Sequence, residues 1–262
     1  MTADFHNDIL TAKSLPFEKE LQGLDCGVLA LYKGNRSFSD LFSIAEKFDS
    51  ENKDKRFFLA FEELSGIGDC ELDTLISLRP KYVTLTWNWE NDLAHGCKSS
   101  GGLKKKGKKV IKACTEHGIY IDTAHLCRQS FLEVCNETDY VVNSHTCFSA
   151  LRSHARNIDD EQIKILYDKH APIGITFVGA FLTDTKATSD HVVRHVDHYV
   201  QKYGCDRIAI GSDYYGTQDL PQDLLNYKTW DILVEKFLKI GYNIEVIEKI
   251  LYRNLKIFLY GS

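Results

Sequence analysis

The stretch DFHNDIL, residues 4–10, places His6 and Asp8 two positions apart. On a strand, residues i and i+2 share a face. An imidazole and a carboxylate would then project side by side, either as metal ligands or as a satisfied polar pair. Groups of the same chemistry close other apolar runs: Glu62 and Glu63 follow RFFLAF, His125 follows IYIDTA, His145 follows YVVNS, and Asp213 follows RIAIGS. Buried charges are costly unless they are paired or bound to metal. Carboxylates mixed with neutral imidazoles form a donor set suited to Zn²⁺, Mn²⁺ or Fe²⁺. Each residue alone is weak evidence. Together they point to a metal centre, provided that one set of elements brings them together.

Eight short, largely apolar runs read as strands: TADFH, GVLALY, RFFLAFEE, YVTLTWN, IYIDTAH, YVVNSH, PIGITFV and RIAIGSD. Such runs fit parallel strands buried on both faces. Helical patterns lie between several of them. In residues 37–50, Leu41, Ile44, Ala45 and Phe48 recur with helical spacing, and Ser37 or Ser39 can cap the start. Residues 102–118 end on Gly118, residues 190–204 end on Gly204, and residues 159–170 and 243–260 continue the pattern. Strand alternating with helix predicts a (β/α)8 TIM barrel, here one domain over residues 1–262. The strand ends would then converge on the face where barrels carry out their chemistry. A doubly wound open sheet would show a glycine-rich turn after its first strand, and HNDILTAK is not one.

The 262 residues, 44% hydrophobic with a formal charge of −5, suffice for a large core and argue against nucleic acid as a partner. The basic run KKKGKK, Lys104 to Lys109, reads as a solvated first helical turn, because no aromatic residues interleave with it. No apolar run approaches a membrane span, and no secretory signal opens the chain. Eight dispersed cysteines without a C-x-x-C pair predict reduced thiols in the cytoplasm. Cys97 and Cys147 lie near histidines and read as small loop or core residues. His191, His195 and His198 share one helical face, read as solvated and turned away from the barrel.

The ordered motifs DFHND, AFEE, YVTLTWN, GIYIDTAH, VVNSHTCFSALRSHARNIDDEQIKIL, IGITFVGAFL, IAIGSDYYG and NLKIFLY run through most of the chain. They resemble the membrane (renal) dipeptidases, zinc peptidases among the amidohydrolase-like barrels. The resemblance implies two divalent ions, zinc foremost. His6 and Asp8 match the ligands of one ion, His125 and His145 those of the other, and Glu62 the carboxylate that bridges them. Glu63 stands where the family usually has glycine. Asp213 matches the acid that handles the substrate amine and the proton transfers, and Arg156 the arginine that holds the substrate carboxylate. Trp87 stands at the substrate position of a histidine that polarises the scissile carbonyl in the renal enzyme, and Tyr215 replaces a second aspartate.

The function so implied is hydrolysis of dipeptides by a hydroxide bridging the two ions, in a soluble, bacterial-type enzyme. A homodimer is compatible with it. Asp122, three residues before His125, is a candidate to orient a ligand histidine. A binuclear amidohydrolase acting on a non-peptide amide, lactone or ester is the alternative, kept open by Trp87. A catalytically silent binding barrel is the third reading, and the complete ligand set speaks against it.

Overall fold

The structure is a computed structural model and describes residues 1–13, 19–52 and 55–261. Eight strands close a parallel barrel in chain order: β1 Ala3–Asn7, β2 Cys26–Tyr32, β3 Phe57–Glu62, β4 Tyr82–Thr84, β5 Tyr120–Asp122, β6 Val141–Thr146, β7 Ile173–Ile175 and β8 Ile208–Ile210, with β8 pairing back to β1. This is the expected (β/α)8 architecture. Four of the strands are only three residues long. His125 and Asp213 therefore do not end strands, as the apolar runs predicted, but sit in the loops beyond β5 and β8.

The helices are α1 Ile9–Ala12, α2 Phe38–Glu51, α3 Asp69–Ser77, α4 Lys105–Glu116, α5 Arg128–Glu137, α6 Asp160–Asp168, α7 Gly179–Leu182, α8 Ser189–Tyr203, α9 Asp231–Lys239, α10 Ile244–Glu248 and α11 Asn254–Tyr260. Ser37 caps α2 through a reciprocal pair with Asp40. Gly118 and Gly204 follow α4 and α8 with φ of 74° and 78°, the left-handed geometry that glycine adopts at no steric cost. The expected helix over 243–260 is broken by a π turn, Lys249–Arg253, between α10 and α11. Helices α3, α5 and α9 were not legible: α3 fully buries only Leu75, too little for a stripe. The lysine run forms the start of α4 and is ion-paired, with Lys104 reaching Glu90 at 2.5 Å and Lys106 reaching Asp92 at 2.5 Å.

Strand alternation divides the core in two. Cys26, Val28 and Ala30 of β2 face the barrel interior with Phe5, Tyr82 and Val142, whereas Leu29 and Leu31 pack outward against helices. Leu255 and Leu259 of α11 join the interior cluster, and Phe258 packs against Phe5 and Tyr120. This helix thus covers the end where strands begin and leaves the opposite end for loops. Two glycines set how closely the strands approach there. A Cβ at Gly174 or Gly211 would lie 1.9 Å from the Ser144 carbonyl oxygen.

One expectation is corrected by the packing of α8. His195 is 1% exposed and does not belong to a solvated face. Its Nδ1 accepts from the Phe148 amide at 3.0 Å, and its Nε2 lies 3.3 Å from the Leu182 carbonyl. The ring is thus a neutral imidazole that ties α8 to the β6 and β7 loops. His191 and His198 are half-buried. Cys147 is a core residue, as expected, and Cys97 lies in a loop.

Two outcomes are expected. Gly211→Ala should cost about 1–3 kcal/mol through overpacking, read as a lower urea midpoint, and an unchanged midpoint would refute the close approach. Burial holds His195 down to about 4 from 6.5, so below pH 6.5 the unfolded chain binds a proton that the folded one refuses. Its stabilising contribution, on the order of 3 kcal/mol, is present above pH 6.5 and lost as pH falls towards 4. His195→Asn should flatten the fall in stability across that window, measured by urea titrations at a series of pH values.

Candidate active site

The strand ends and the loops just beyond them gather the candidate residues into one buried cluster. The Nε2 of His6 lies 3.1 Å from Glu62 Oε2 and 3.5 Å from Asp8 Oδ2. The Nε2 of His125 lies 3.1 Å from Glu62 Oε1 and 2.9 Å from His145 Nε2. The rings of His6 and His145 overlap with centroids 3.9 Å apart. Glu62 therefore turns one oxygen towards each side. Three overlapping donor groups result: His6, Asp8 and Glu62; Glu62, His125 and His145; and His6, His145 and Asp213.

Backbone geometry puts these side chains in place. Pairing of β1 with β2 shifts register between Asp4 and Asn7, an irregularity of the kind that re-aims side chains beside active sites. His125 and Asp213 hold φ of 68° and 60°. Left-handed backbone costs a non-glycine residue on the order of 1–3 kcal/mol and persists where surrounding contacts dictate it. Glu63 has φ of 71°, which explains why glycine suits that position. Its side chain turns aside to accept from the Ser65 amide at 3.1 Å, leaving Glu62 to face the cluster. Gly216 is required by contact: a Cβ there would lie 2.3 Å from both Asp8 Oδ2 and Asp213 Oδ1.

The outer partners decide which ring nitrogen faces inward. Tyr82 donates its hydroxyl proton to the Phe5 carbonyl at 2.8 Å, so it accepts from His6 Nδ1 at 2.9 Å. Ser144 donates to Asp122 Oδ2 at 2.5 Å, so it accepts from His145 Nδ1 at 2.8 Å. Asn88 Oδ1 accepts from His125 Nδ1 at 3.0 Å. As a neutral imidazole each ring thus carries its proton on Nδ1, and the Nε2 atoms of His125 and His145 point lone pairs at one another. Asp122 does act behind a histidine of the cluster, but through Ser144 on His145, not on His125. Tyr82, Asn88 and Ser144 escaped the sequence reading; only the adjacency of Ser144 to His145 and of Asn88 to Trp87 offered any signal.

Charge tells the same story. Burial, then the charge of Arg156, pulls His125 down to about 4; burial and His6 hold His145 far below its usual range. Protons therefore do not relieve that pair. Burial, then the nearby carboxylates, pushes Asp8 and Asp213 up, Asp213 strongly. Burial also opposes ionisation of Glu62, but the adjacent imidazoles of His125 and His6 prevail and keep it low. His6 Nε2 and Asp8 Oδ1 are buried without a hydrogen-bond partner. Inward lone pairs, crowded carboxylates and orphaned ligand atoms fit divalent cations.

Beside the cluster opens a cavity of about 210 Å³, lined by Asp8, Glu62, His125 and Asp213 together with Tyr32, Arg36, Trp87 and Tyr215. Trp87 is 41% exposed at its mouth. Arg156 lies elsewhere: it is buried, donates to the His145 carbonyl at 3.0 Å, and lines a neighbouring cavity of about 250 Å³ with His154 and Asn143. The pocket thus joins Asp8, Glu62, Trp87, His125 and Asp213 and adds Arg36 and Tyr32; His6 and His145 belong to the cluster but not to its lining, and Arg156 to neither.

A family model described as membrane dipeptidase (peptidase family M19) matches residues 18–258. The chain belongs to the membrane dipeptidase family. That membership places it among metallo-dipeptidases, hydrolases acting on peptide bonds. It is 29% identical over 184 residues to an uncharacterised protein in the pqqA 5′ region of Klebsiella pneumoniae, covering 64% of this chain and 67% of that one. It is 28% identical over 183 residues to the dipeptidase tcpJ of Claviceps purpurea, covering 67% of this chain and only 43% of the fungal protein. Its fold matches a metallopeptidase of Rhodobacter sphaeroides liganded with a phosphinate mimic of L-Ala-D-Ala, with a TM-score of 0.84 at 18% identity over 98% of both chains. Among the described residues, no helix is long and apolar enough to cross a membrane.

If these donors hold cations as a set, His125→Ala or His145→Ala should lower the metal content per chain. Elemental analysis of protein equilibrated with zinc and desalted provides the check, and unchanged stoichiometry would refute the ligand set.

Proposed function

We propose that the enzyme is a dipeptidase holding two divalent ions, zinc foremost. His6 and Asp8 would hold one, His125 and His145 the other, and Glu62 both. The observation that carries this reading is the position of Glu62, one oxygen 3.1 Å from His6 and the other 3.1 Å from His125. When bound, the ion pair supplies Lewis acidity and an acidified water as the nucleophile.

The chain's own residues do the rest. Tyr82, Asn88 and Ser144 hold the three rings in the tautomer that turns Nε2 inward. Asp213 lines the substrate pocket beside Asp8. Burial and neighbouring carboxylates raise its proton affinity, which suits a group that receives the substrate amine and passes a proton to the leaving nitrogen. Arg156 is assigned the substrate's terminal carboxylate on the match of HARN to the family's arginine; a guanidinium can clamp a carboxylate with two parallel bonds, and its charge already reaches His125 in the pocket wall. An anchor for each end of a short substrate favours dipeptides over longer chains. All eight cysteines are unpaired, which supports a reducing compartment and hence the cytoplasm.

Trp87 favours a second reading. Its indole donates one hydrogen bond and carries no charge, where the renal enzyme has a histidine. Non-peptide amides, lactones and esters therefore belong in the same assay.

Asp213→Asn should fold and retain metal but lose on the order of 10²-fold or more in kcat. A dipeptide-library screen with and without chelator tests the assignment. Full activity of the variant would remove Asp213 from the mechanism, and chelator-resistant hydrolysis would overturn the metallo-dipeptidase reading.

A further inference from the structure

The pocket that Asp213 shares with the ligand cluster holds a cation that no role above uses. Arg36, just before α2, lines it together with Thr11, Tyr32, Trp87 and Tyr215. Among the described lining residues, Arg36 is the one permanent cation. Its guanidinium is tethered rather than neutralised: Nη1 donates to the Tyr32 carbonyl at 3.3 Å and Nη2 to the Thr11 carbonyl at 2.8 Å. These carbonyls belong to the end of β2 and to α1, so the backbone fixes the orientation of the group. Of five guanidinium N–H donors, these contacts use two. Among the described residues no carboxylate is ion-paired with it. A half-buried arginine, oriented by carbonyls and facing a substrate pocket with donors to spare, is a receptor for an anion.

We infer that Arg36 receives the side-chain carboxylate of the substrate's N-terminal residue, so that dipeptides beginning with glutamate or aspartate are preferred. The inference rests on the dipeptidase reading. With the substrate amine at Asp213, the side chain of the same residue must occupy the rest of this pocket. Apart from Arg36, the wall beyond the carboxylates is neutral: Thr11, Ala12, Tyr32, Trp87 and Tyr215. A carboxylate placed there gains charge-assisted bonds. A lysine or arginine side chain meets a like charge, and an apolar one covers the guanidinium without pairing it.

The test compares Glu-Ala with its isostere Gln-Ala on the zinc-loaded full chain. The ratio of their kcat/KM values should be on the order of 10. It should fall to about one in Arg36→Gln and reverse in favour of Lys-Ala in Arg36→Glu. Calorimetric titration with non-hydrolysable phosphinate mimics of both dipeptides should show the same split in Kd. A wild-type ratio near one, which requires no variant to fold, would overturn the inference. So would a ratio that survives in Arg36→Gln. An equal loss on both substrates in that variant would place Arg36 on the terminal carboxylate instead, also overturning the side-chain assignment. Hydrolysis of Gln-Ala at any rate keeps the dipeptidase reading standing, whereas failure to hydrolyse any dipeptide would remove that reading itself.

Discussion

The structure turns on one electrostatic constraint. Three carboxylates and three imidazoles converge in a largely buried space where water screens them poorly. The 2.9 Å approach of His125 Nε2 to His145 Nε2 is repulsive when both protons sit on the far nitrogens, and the field around these rings disfavours a further proton. His6 differs, since burial lowers it but Tyr82, Asp8 and Glu62 prevail and hold it well above its usual range. Positive charge between His125 and His145 must come from elsewhere. Without it the cluster would be among the most expensive features in the molecule; with it the same atoms form a binding site.

Much of the fold serves to hold that cluster against its own repulsion. A hydrogen-bonded layer lies beneath it: Tyr82 between Phe5 and His6, and Ser144 between Asp122 and His145. Below that layer an apolar plug, closed by α11, fills the barrel. The glycines at 174 and 211 let three strand backbones crowd around Ser144, which keeps the layer rigid. Above it, loops in left-handed conformations deliver His125 and Asp213. Strain in those loops and repulsion in the cluster are compensated by the packing underneath, the usual relation between a stable scaffold and a strained site.

The pocket wall shows where chemistry and specificity separate. The donor cluster comes from strand ends and the first residues beyond them, whereas Arg36, Trp87 and Tyr215 come from the loops around it, joined by Tyr32 at the end of β2. The first set is locked by mutual contacts within the buried cluster. The second can vary without disturbing it, which is how one barrel accepts different substrates.

The sequence determined the alternation of strand and helix, and with it the barrel. It also determined the ligand candidates, because polar titratable residues ending apolar runs stand out against the run itself. It misplaced His125 and Asp213 by a few residues, since a strand three residues long and the loop after it share one apolar pattern. It misread His195, because a buried, satisfied imidazole and a solvated one look alike at helical spacing. Only the tertiary structure decided that Glu62 rather than Glu63 faces the cluster, that Asp122 acts through Ser144, and that Arg36 rather than Arg156 lines the pocket beside Asp213. Those outcomes depend on distances between residues far apart in sequence, as for His6 and Ser144, 138 positions apart. Periodicity reports which face a side chain takes on its own element; barrel closure alone sets what it meets across the axis.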